Sequence, residues 1–372
     1  MYKIVHYGDQ PERTWVLLNS YRSEFTHILR GSFTMEYKYI GQSGLRVSPV
    51  CLGTMTFGSF CDKKTAFAIM DKAYDAGINF FDTAEVYPVP PRVESVGVTE
   101  EIVGEWLRGK NRDSLIIATK VVGAASGWFV PPVRAGLTAI DAHHIVKAVE
   151  GSLRRLQCDY IDLYQMHWPD TVVPREESME AFDRLVRSGK VRYLGTSNDT
   201  AYGTTKSNMI SQYKGYKRFE SIQNNFSLLN RRFLDEMTEM CRVEKISLLP
   251  YSPMAGGVLS GKYNKNPKTA GRFNSYINSA DKRIQGMAGR FLNDKTLAAT
   301  ARYTEIAEEI GVSSATLAVA WSKQFDFVAS TIIGATSVEQ LDDSLAAMDL
   351  ELSEDILRKC DAVHNDILYP MG

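Results

Sequence analysis

The sequence is poor in the features that would tie it to a membrane, a nucleic acid or an oxidising compartment. Its five cysteines, Cys51, Cys61, Cys158, Cys241 and Cys360, are odd in number, far apart and contain no C-x-x-C pair. That argues against a disulfide scaffold or a structural zinc site, and the chain reads as a reduced, cytoplasmic type. No apolar run approaches the ~18–20 residues of a membrane span. Excess charge of one sign is missing too, with 43 Lys and Arg against 44 Asp and Glu, a net charge of −1. A dedicated nucleic-acid binder would carry a basic surplus, so neither nucleic acid nor membrane is an expected partner. There is no Pro/Ser/Gly-rich hinge, no repeat of solenoid period, and no G-x-G-x-x-G after an early strand to support a Rossmann domain.

What remains is globular. Hydrophobic residues make up 44% and charged residues 23% of 372 positions, enough to build a sizeable core. That length allows two or three average domains, or one large α/β barrel with insertions. Residues 1–34 precede Met35 and mix charges with aromatics, including Trp15. Val16-Leu17-Leu18 is too short for the apolar region of a signal peptide. The segment is read as an extension outside the domain at 35–372: an early start, an appended piece, or a targeting or interaction arm.

From Met35 onward, strand-length apolar runs alternate with amphipathic helical stretches, the pattern of a parallel sheet. A hairpin is expected over Tyr37–Val47. Strands are expected at Val50–Gly53, Asn79–Asp82, Leu115–Lys120, Ile161–His167, Val191–Gly195, Ser221–Gln223, Ile246–Tyr251 and Val328–Ile333. Helical spacing is clearest over Lys63–Ala76, Glu100–Arg108, Ala142–Leu156, Glu176–Ser188, Arg231–Arg242, Leu297–Ile310 and Val338–Ala347. Extra helices fall near Ser314–Lys323 and Glu354–Val363. Eight βα units without a linker predict a single (β/α)8 TIM barrel of the α/β class, opened by the hairpin. Two long connections, Val122–Ile140 and the lysine- and arginine-rich Gly261–Asp294, follow strand C-termini, where barrel enzymes place binding loops.

Polar residues recur at those same ends. Asp82 ends the second strand, Lys120 the third and His167 the fourth; Asn198 follows the fifth, Gln223 ends the sixth and Tyr251-Ser252 the seventh. A barrel converges all of them on one mouth. Five stretches stand in order: Asn79-Phe80-Phe81-Asp82-Thr83-Ala84-Glu85-Val86-Tyr87, Ala118-Thr119-Lys120, Gln165-Met166-His167-Trp168-Pro169-Asp170, Gly189 through Asn198, and Ile333-Gly334-Ala335-Thr336-Ser337 with Gln340. In these the chain from about Met35 to Gly372 resembles the aldo-keto reductases. Tyr87-Pro88-Val89-Pro90-Pro91-Arg92 and the ending Leu368-Tyr369-Pro370 are similar to the bacterial Tas-like branch of that family.

The resemblance implies NADPH-dependent reduction of an aldehyde or ketone by hydride transfer from the nicotinamide. Tyr87 would donate the proton. A tyrosine at pKa ~10 needs a cationic neighbour for this, which Lys120 would provide, with Asp82 keeping Lys120 charged. His167 would orient the carbonyl oxygen by a hydrogen bond. The nicotinamide would meet Ser197, Asn198, Gln223 and the ring of Tyr251, with Asp82 and Gly53-Thr54-Met55 along the same end. Ser252, Met254, Gly256 and Ser260 would approach the pyrophosphate. Lys262 and Arg272, with Thr336 and Gln340 beside Gly334, would take the 2′-phosphate. Asp343-Ser344 stands where the family often has an acidic residue followed by Asn, which leaves the adenine contact to Asp343. Trp128, Phe129 and Trp168, with Tyr87 and His167, would line a pocket for apolar or aromatic carbonyls. A short segment from Asp170 to Glu177 predicts an open substrate mouth.

Other patterns point elsewhere more weakly. Gly256–Lys262 spells G-x-x-x-x-G-K, but Tyr263 replaces the Ser or Thr that would ligate Mg²⁺ in a phosphate loop. Tyr202-x-x-x-Lys206 and Tyr213-x-x-x-Lys217 both match the Y-x-x-x-K of short-chain dehydrogenases, which shows how common that spacing is. His143-His144 is adjacent rather than i, i+4 spaced, so no metal is expected there, and Asp141 suits a helix N-cap. The rival function is an NADPH-binding regulatory or sensor subunit with little turnover.

Overall fold

Strands buried on both faces need helices outside them and side chains within, and the chain supplies both. The computed structural model describes residues 35–123, 136–266, 269 and 271–371. β1 (Lys38–Tyr39) and β2 (Arg46–Val47) form an antiparallel hairpin. Eight parallel strands follow: β3 (Val50–Gly53), β4 (Phe80–Asp82), β5 (Ile116–Val121), β6 (Ile161–Met166), β7 (Val191–Ser197), β8 (Phe219–Gln223), β9 (Ser247–Leu248) and β10 (Thr331–Ile333). They pair in the order β10-β3-β4-β5-β6-β7-β8-β9. The two ends of the sheet meet, because Leu248 pairs with Val328 and the Ile332 N–H donates to the Pro250 carbonyl at 2.8 Å. This is the (β/α)8 barrel that the alternation predicts.

Period-2 alternation divides each strand between two cores. Phe81, Ile117, Val121 and Tyr164 point outward into the layer beneath the helices. Cys51, Phe80, Ala118, Leu163 and Leu249 point inward and meet Ile40, Leu45 and Val47 from the hairpin. The hairpin thus closes the N-terminal end of the barrel. It is fastened there by Gly41 N–H to Ser247 Oγ at 2.8 Å and Gln42 N–H to Glu220 Oε2 at 2.9 Å. All five cysteines are free thiols.

The outer helices are α1 (Lys63–Asp75), α2 (Val98–Leu107), α3 (Ala142–Leu156), α4 (Arg175–Arg187), α5 (Ala201–Lys214) and α6 (Phe233–Glu244). Asp141 caps α3 by accepting from the His144 N–H at 2.9 Å. Helix α5 escapes the periodicity argument because its buried face is small and polar: Ala201, Gly203, Thr204, Ser207, Asn208 and Ser211. The connection Gly261–Asp294 is not a plain loop, since it folds into α7 (Lys262–Lys265), α8 (Arg272–Ile277) and α9 (Lys282–Phe291). α10 (Asp294–Glu309) starts earlier than expected, fixed by a capping box between Asn293 and Thr296. α11 (Ser314–Lys323), α12 (Leu341–Ala346) and α13 (Glu354–Asp366) complete the chain. Strand β9 is shorter than expected because Pro250 has no N–H to give the ladder.

Helices α2 and α3 approach closely at Gly104, where a Cβ would lie 2.2 Å from the Arg155 carbonyl oxygen. Backbone atoms there have little room to yield. Gly104→Ala is therefore expected to lower stability by about 1–3 kcal/mol in urea unfolding, with the m-value unchanged. An unchanged midpoint would mean that the α2–α3 contact is looser than described.

Candidate active site

The four residues expected to carry chemistry converge at the C-terminal mouth of the barrel. Asp82 ends β4, and Lys120 lies beside it on β5; both are buried. Lys120 Nζ donates to Asp82 Oδ2 at 2.5 Å and to the Thr83 carbonyl at 2.8 Å. Tyr87 comes from the loop after β4, with Lys120 Nζ 5.0 Å from its ring centroid. Burial draws the Lys120 ammonium down, but Asp82 and then Tyr87 outweigh it and hold the group above its ordinary value. For Tyr87, burial raises the phenol while the Lys120 charge pulls it back.

His167 follows β6 and faces Tyr87 edge-on, with ring centroids 5.8 Å apart. Burial first, and then the Lys120 charge, holds its imidazole well below the ordinary value. It is neutral at physiological pH, so a ring N–H remains available as a donor. Trp168 stacks on the imidazole at 3.8 Å and is 41% exposed, at the rim. Trp128 and Phe129 lie outside the described residues.

Amide and hydroxyl groups occupy the adjoining strand ends. Asn198 takes φ +54°, donates from Nδ2 to the His167 carbonyl at 2.9 Å, and accepts the Tyr251 hydroxyl at 2.8 Å. Ser197 Oγ donates to the Gln223 carbonyl at 2.8 Å. Gln223 Nε2 reaches Asp82 Oδ1 at 3.0 Å, and Thr54 donates to the Asp82 carbonyl from both N and Oγ1. Gly53 pairs with Asp82 in the sheet, and the Met55 carbonyl accepts the Val89 N–H. Ser197, Asn198, Gln223, Tyr251, Thr54 and Asp82 are therefore joined by hydrogen bonds into one continuous patch.

The next segment builds a basic cradle. Ser252 and Met254 lead into a 3-10 turn, Ala255–Ser260, in which Gly256 has φ +64°. A Cβ on Gly256 would lie 2.6 Å from an Arg272 guanidinium nitrogen, and one on Gly271 would lie 3.0 Å from Lys262 Nζ. Burial and then Arg272 lower the Lys262 ammonium, and burial lowers Arg272. Neither cation has a carboxylate partner among the described residues. Ser260 Oγ turns inward, to the Gly257 carbonyl at 2.8 Å. Thr336 and Gln340 bind each other after β10, beyond Gly334, through Thr336 N–H to Gln340 Oε1 at 2.9 Å. Asp343 is exposed on α12. No hydrogen bond joins this second group to Lys262 or Arg272 among the described residues.

A closed parallel barrel with titratable groups converging at its strand C-termini has the architecture of a barrel enzyme. The family model described as "Aldo/keto reductase family" matches residues 49–365. Protein tas of Escherichia coli strain K12 is 38% identical over 356 residues, covering 90% of this chain and 99% of that protein. "Uncharacterized oxidoreductase YrpG" of Bacillus subtilis is 37% identical, covering 87% of this chain and 94% of its own. A protein of Oryza sativa named "Probable voltage-gated potassium channel subunit beta" is 35% identical, covering 88% and 96%. The chain belongs to the aldo/keto reductase family, a family of oxidoreductases.

Two buried groups were not singled out by sequence reasoning. Gln165 donates to Asp82 Oδ1 at 3.0 Å and accepts from Gln223 at 3.2 Å. Its signal was available, since it stands two residues before His167 on an inward face. Glu85 accepts the Val122 N–H at 2.6 Å and lies near Glu100, which is bound by Thr119 and Arg155. Burial pushes the Glu85 carboxyl up to about 8, against the Val122 hydrogen bond and with a further push from Glu100. The folded protein therefore holds a proton that the unfolded chain releases at pH ~4.3. Stability from this group is full below that pH and is lost as pH rises through about 8. Glu85→Gln keeps the acceptor and removes the titration. Its melting temperature should fall less than that of the wild type between about pH 5 and about pH 8 in scanning calorimetry. Equal slopes would refute the assignment.

Proposed function

We propose that this protein is an NADPH-dependent carbonyl reductase that converts an aldehyde or ketone to the alcohol. The observation that carries the proposal is the buried Lys120, fixed by Asp82 and the Thr83 carbonyl with its ammonium against Tyr87. NADPH, when bound, supplies the hydride for the carbonyl carbon. Negative charge then develops on the carbonyl oxygen, and the Tyr87 hydroxyl gives that oxygen its proton. Lys120 makes the phenol a better acid by stabilising the phenolate that remains. Asp82 keeps the ammonium charged and in place. The neutral His167 donates a ring N–H to the same oxygen, orienting the carbonyl before transfer and stabilising the developing charge.

Ser197, Asn198 and Gln223 would hold the carboxamide of the cofactor, amide against amide, with the Tyr251 ring against the nicotinamide. Gly53, Thr54, Met55 and Asp82 would border that end. Ser252, Met254, Gly256 and Ser260 would follow the pyrophosphate, where a missing Cβ lets backbone approach. Lys262 and Arg272, two cations without a carboxylate partner among the described residues, fit a phosphate dianion; Gly334, Thr336 and Gln340 would flank it, and Asp343 would reach the adenine. Trp168 at the rim supports an apolar or aromatic carbonyl as substrate. The relative named as a channel subunit supports a second reading, a nicotinamide-binding subunit with little turnover.

Loss of NADPH absorbance with a panel of aldehydes separates the two readings. Tyr87→Phe should reduce kcat about 10²–10⁴-fold while leaving NADPH binding intact. Tight binding without turnover of any carbonyl in the wild type would favour the subunit instead. Lys262→Ala and Arg272→Ala should each weaken NADPH binding about 10–100-fold with little effect on NADH, the loss of one charge-assisted contact. An unchanged NADPH/NADH ratio would place the 2′-phosphate elsewhere.

A further inference from the structure

Helix α5 is built inside out. Its inward face is small and polar, while its outward face carries Tyr202, Met209 and Tyr213 at 72%, 63% and 86% exposure. With Lys206 these residues step by four, three and four positions, so they form one stripe along the helix. The stripe borders an open groove of about 780 Å³ that also takes in Lys214, Glu176 from α4 and Glu236 from α6. Nothing in the proposed chemistry uses these residues. Large exposed apolar side chains gathered on one face mark an interaction surface rather than scattered surface positions. Aromatic residues and Met at the centre of a patch, with charges at its rim, compose an interface.

We propose that this face joins two copies of the chain about a two-fold axis, with the α5 helices antiparallel. Two features select a second copy as the occupant. First, the spacing reads the same in both directions. An antiparallel copy sets each Tyr202 against the other copy's Tyr213, and each Met209 against the apolar stem of the other Lys206. Second, the groove carries its own complement, two lysines and two glutamates with no net charge. None of these four is in an ion pair within its own chain among the described residues. The lysines rest over their neighbouring tyrosine rings, Lys206 over Tyr202 at 6.0 Å and Lys214 over Tyr213 at 5.7 Å. An isologous contact needs this kind of self-complementary patch. A partner of one charge sign would find only half of these charges matched.

Sedimentation equilibrium of the full chain tests the proposal. The wild type should show twice the 41.7 kDa chain mass. Met209→Glu and Tyr213→Glu, each with an unchanged thermal melt, should raise the dimer dissociation constant at least about tenfold. A charge exchange probes the groove directly. The variant with Lys206→Glu and Lys214→Glu, and the variant with Glu176→Lys and Glu236→Lys, should each be monomeric alone and form a dimer when mixed. A monomeric wild type, an assembly indifferent to Met209→Glu and Tyr213→Glu, or charge variants that gain nothing on mixing would overturn it.

Discussion

The buried ion pair between Asp82 and Lys120 governs the design of the barrel interior. A lysine ammonium with no exposure is driven towards its neutral form unless an anion is fixed beside it. Asp82 provides the anion at 2.5 Å, and its second oxygen must then be satisfied as well. Gln165 and Gln223 both donate to that oxygen, each at 3.0 Å, so the carboxylate is held by three side chains from three strands. Removing any one member leaves a buried polar group exposed to the low dielectric around it, and a charge in the case of Asp82 or Lys120. This network fixes the relative height of β4, β5, β6 and β8 as firmly as the backbone ladders do.

The rest of the interior follows from keeping that network dry below and open above. Beneath it, Phe80, Ala118 and Leu163 stand one inward position earlier on the same strands and meet the hairpin side chains. Cys51 belongs to this apolar floor. Burial, reinforced by the Asp82 charge, pushes its thiol well above the ordinary value, so it stays protonated and inert. Above the network, Tyr87 and His167 face each other across the mouth, both under the Lys120 charge. That charge acts on the two in the same direction: it lowers the phenol and the imidazole alike. The ammonium thus offsets part of the rise that burial imposes on the phenol, and adds to the burial that holds the imidazole low.

Much of this was legible in the sequence because barrels impose a simple rule. Polar residues ending consecutive apolar strands must meet at one mouth, so the sequence alone groups Asp82, Lys120, His167, Asn198 and Gln223. Ordered motifs then supplied the family. Gln165 was overlooked because an amide inside an apolar strand reads as an exception, whereas the inward alternation from Leu163 through His167 required it to face Asp82. Helix α5 was implied by the eight-unit plan but lacked clear helical spacing, for a different reason. Periodicity assumes that large apolar side chains point inward, and here Gly203, Ser207 and Ser211 take the inner face while Tyr202 and Tyr213 take the outer one. The helices within Gly261–Asp294 were hidden by charge, since a run of lysines and arginines looks like a solvated loop.

That last segment also explains how the ends of the site differ. At the mouth, each charge meets an opposite charge within the protein. In the cradle, Lys262 and Arg272 rest over the Tyr263 and Phe273 rings and meet no carboxylate among the described residues, and both are held below their ordinary values. Gly256 and Gly271 let the two cations, with Phe273 and Tyr263, pack against the backbone where a Cβ would clash. Burial is the first cause of both shifts. The two ends of the proposed site therefore differ in charge: cations without a carboxylate partner among the described residues at one end, and a neutralised Asp82–Lys120 pair at the other.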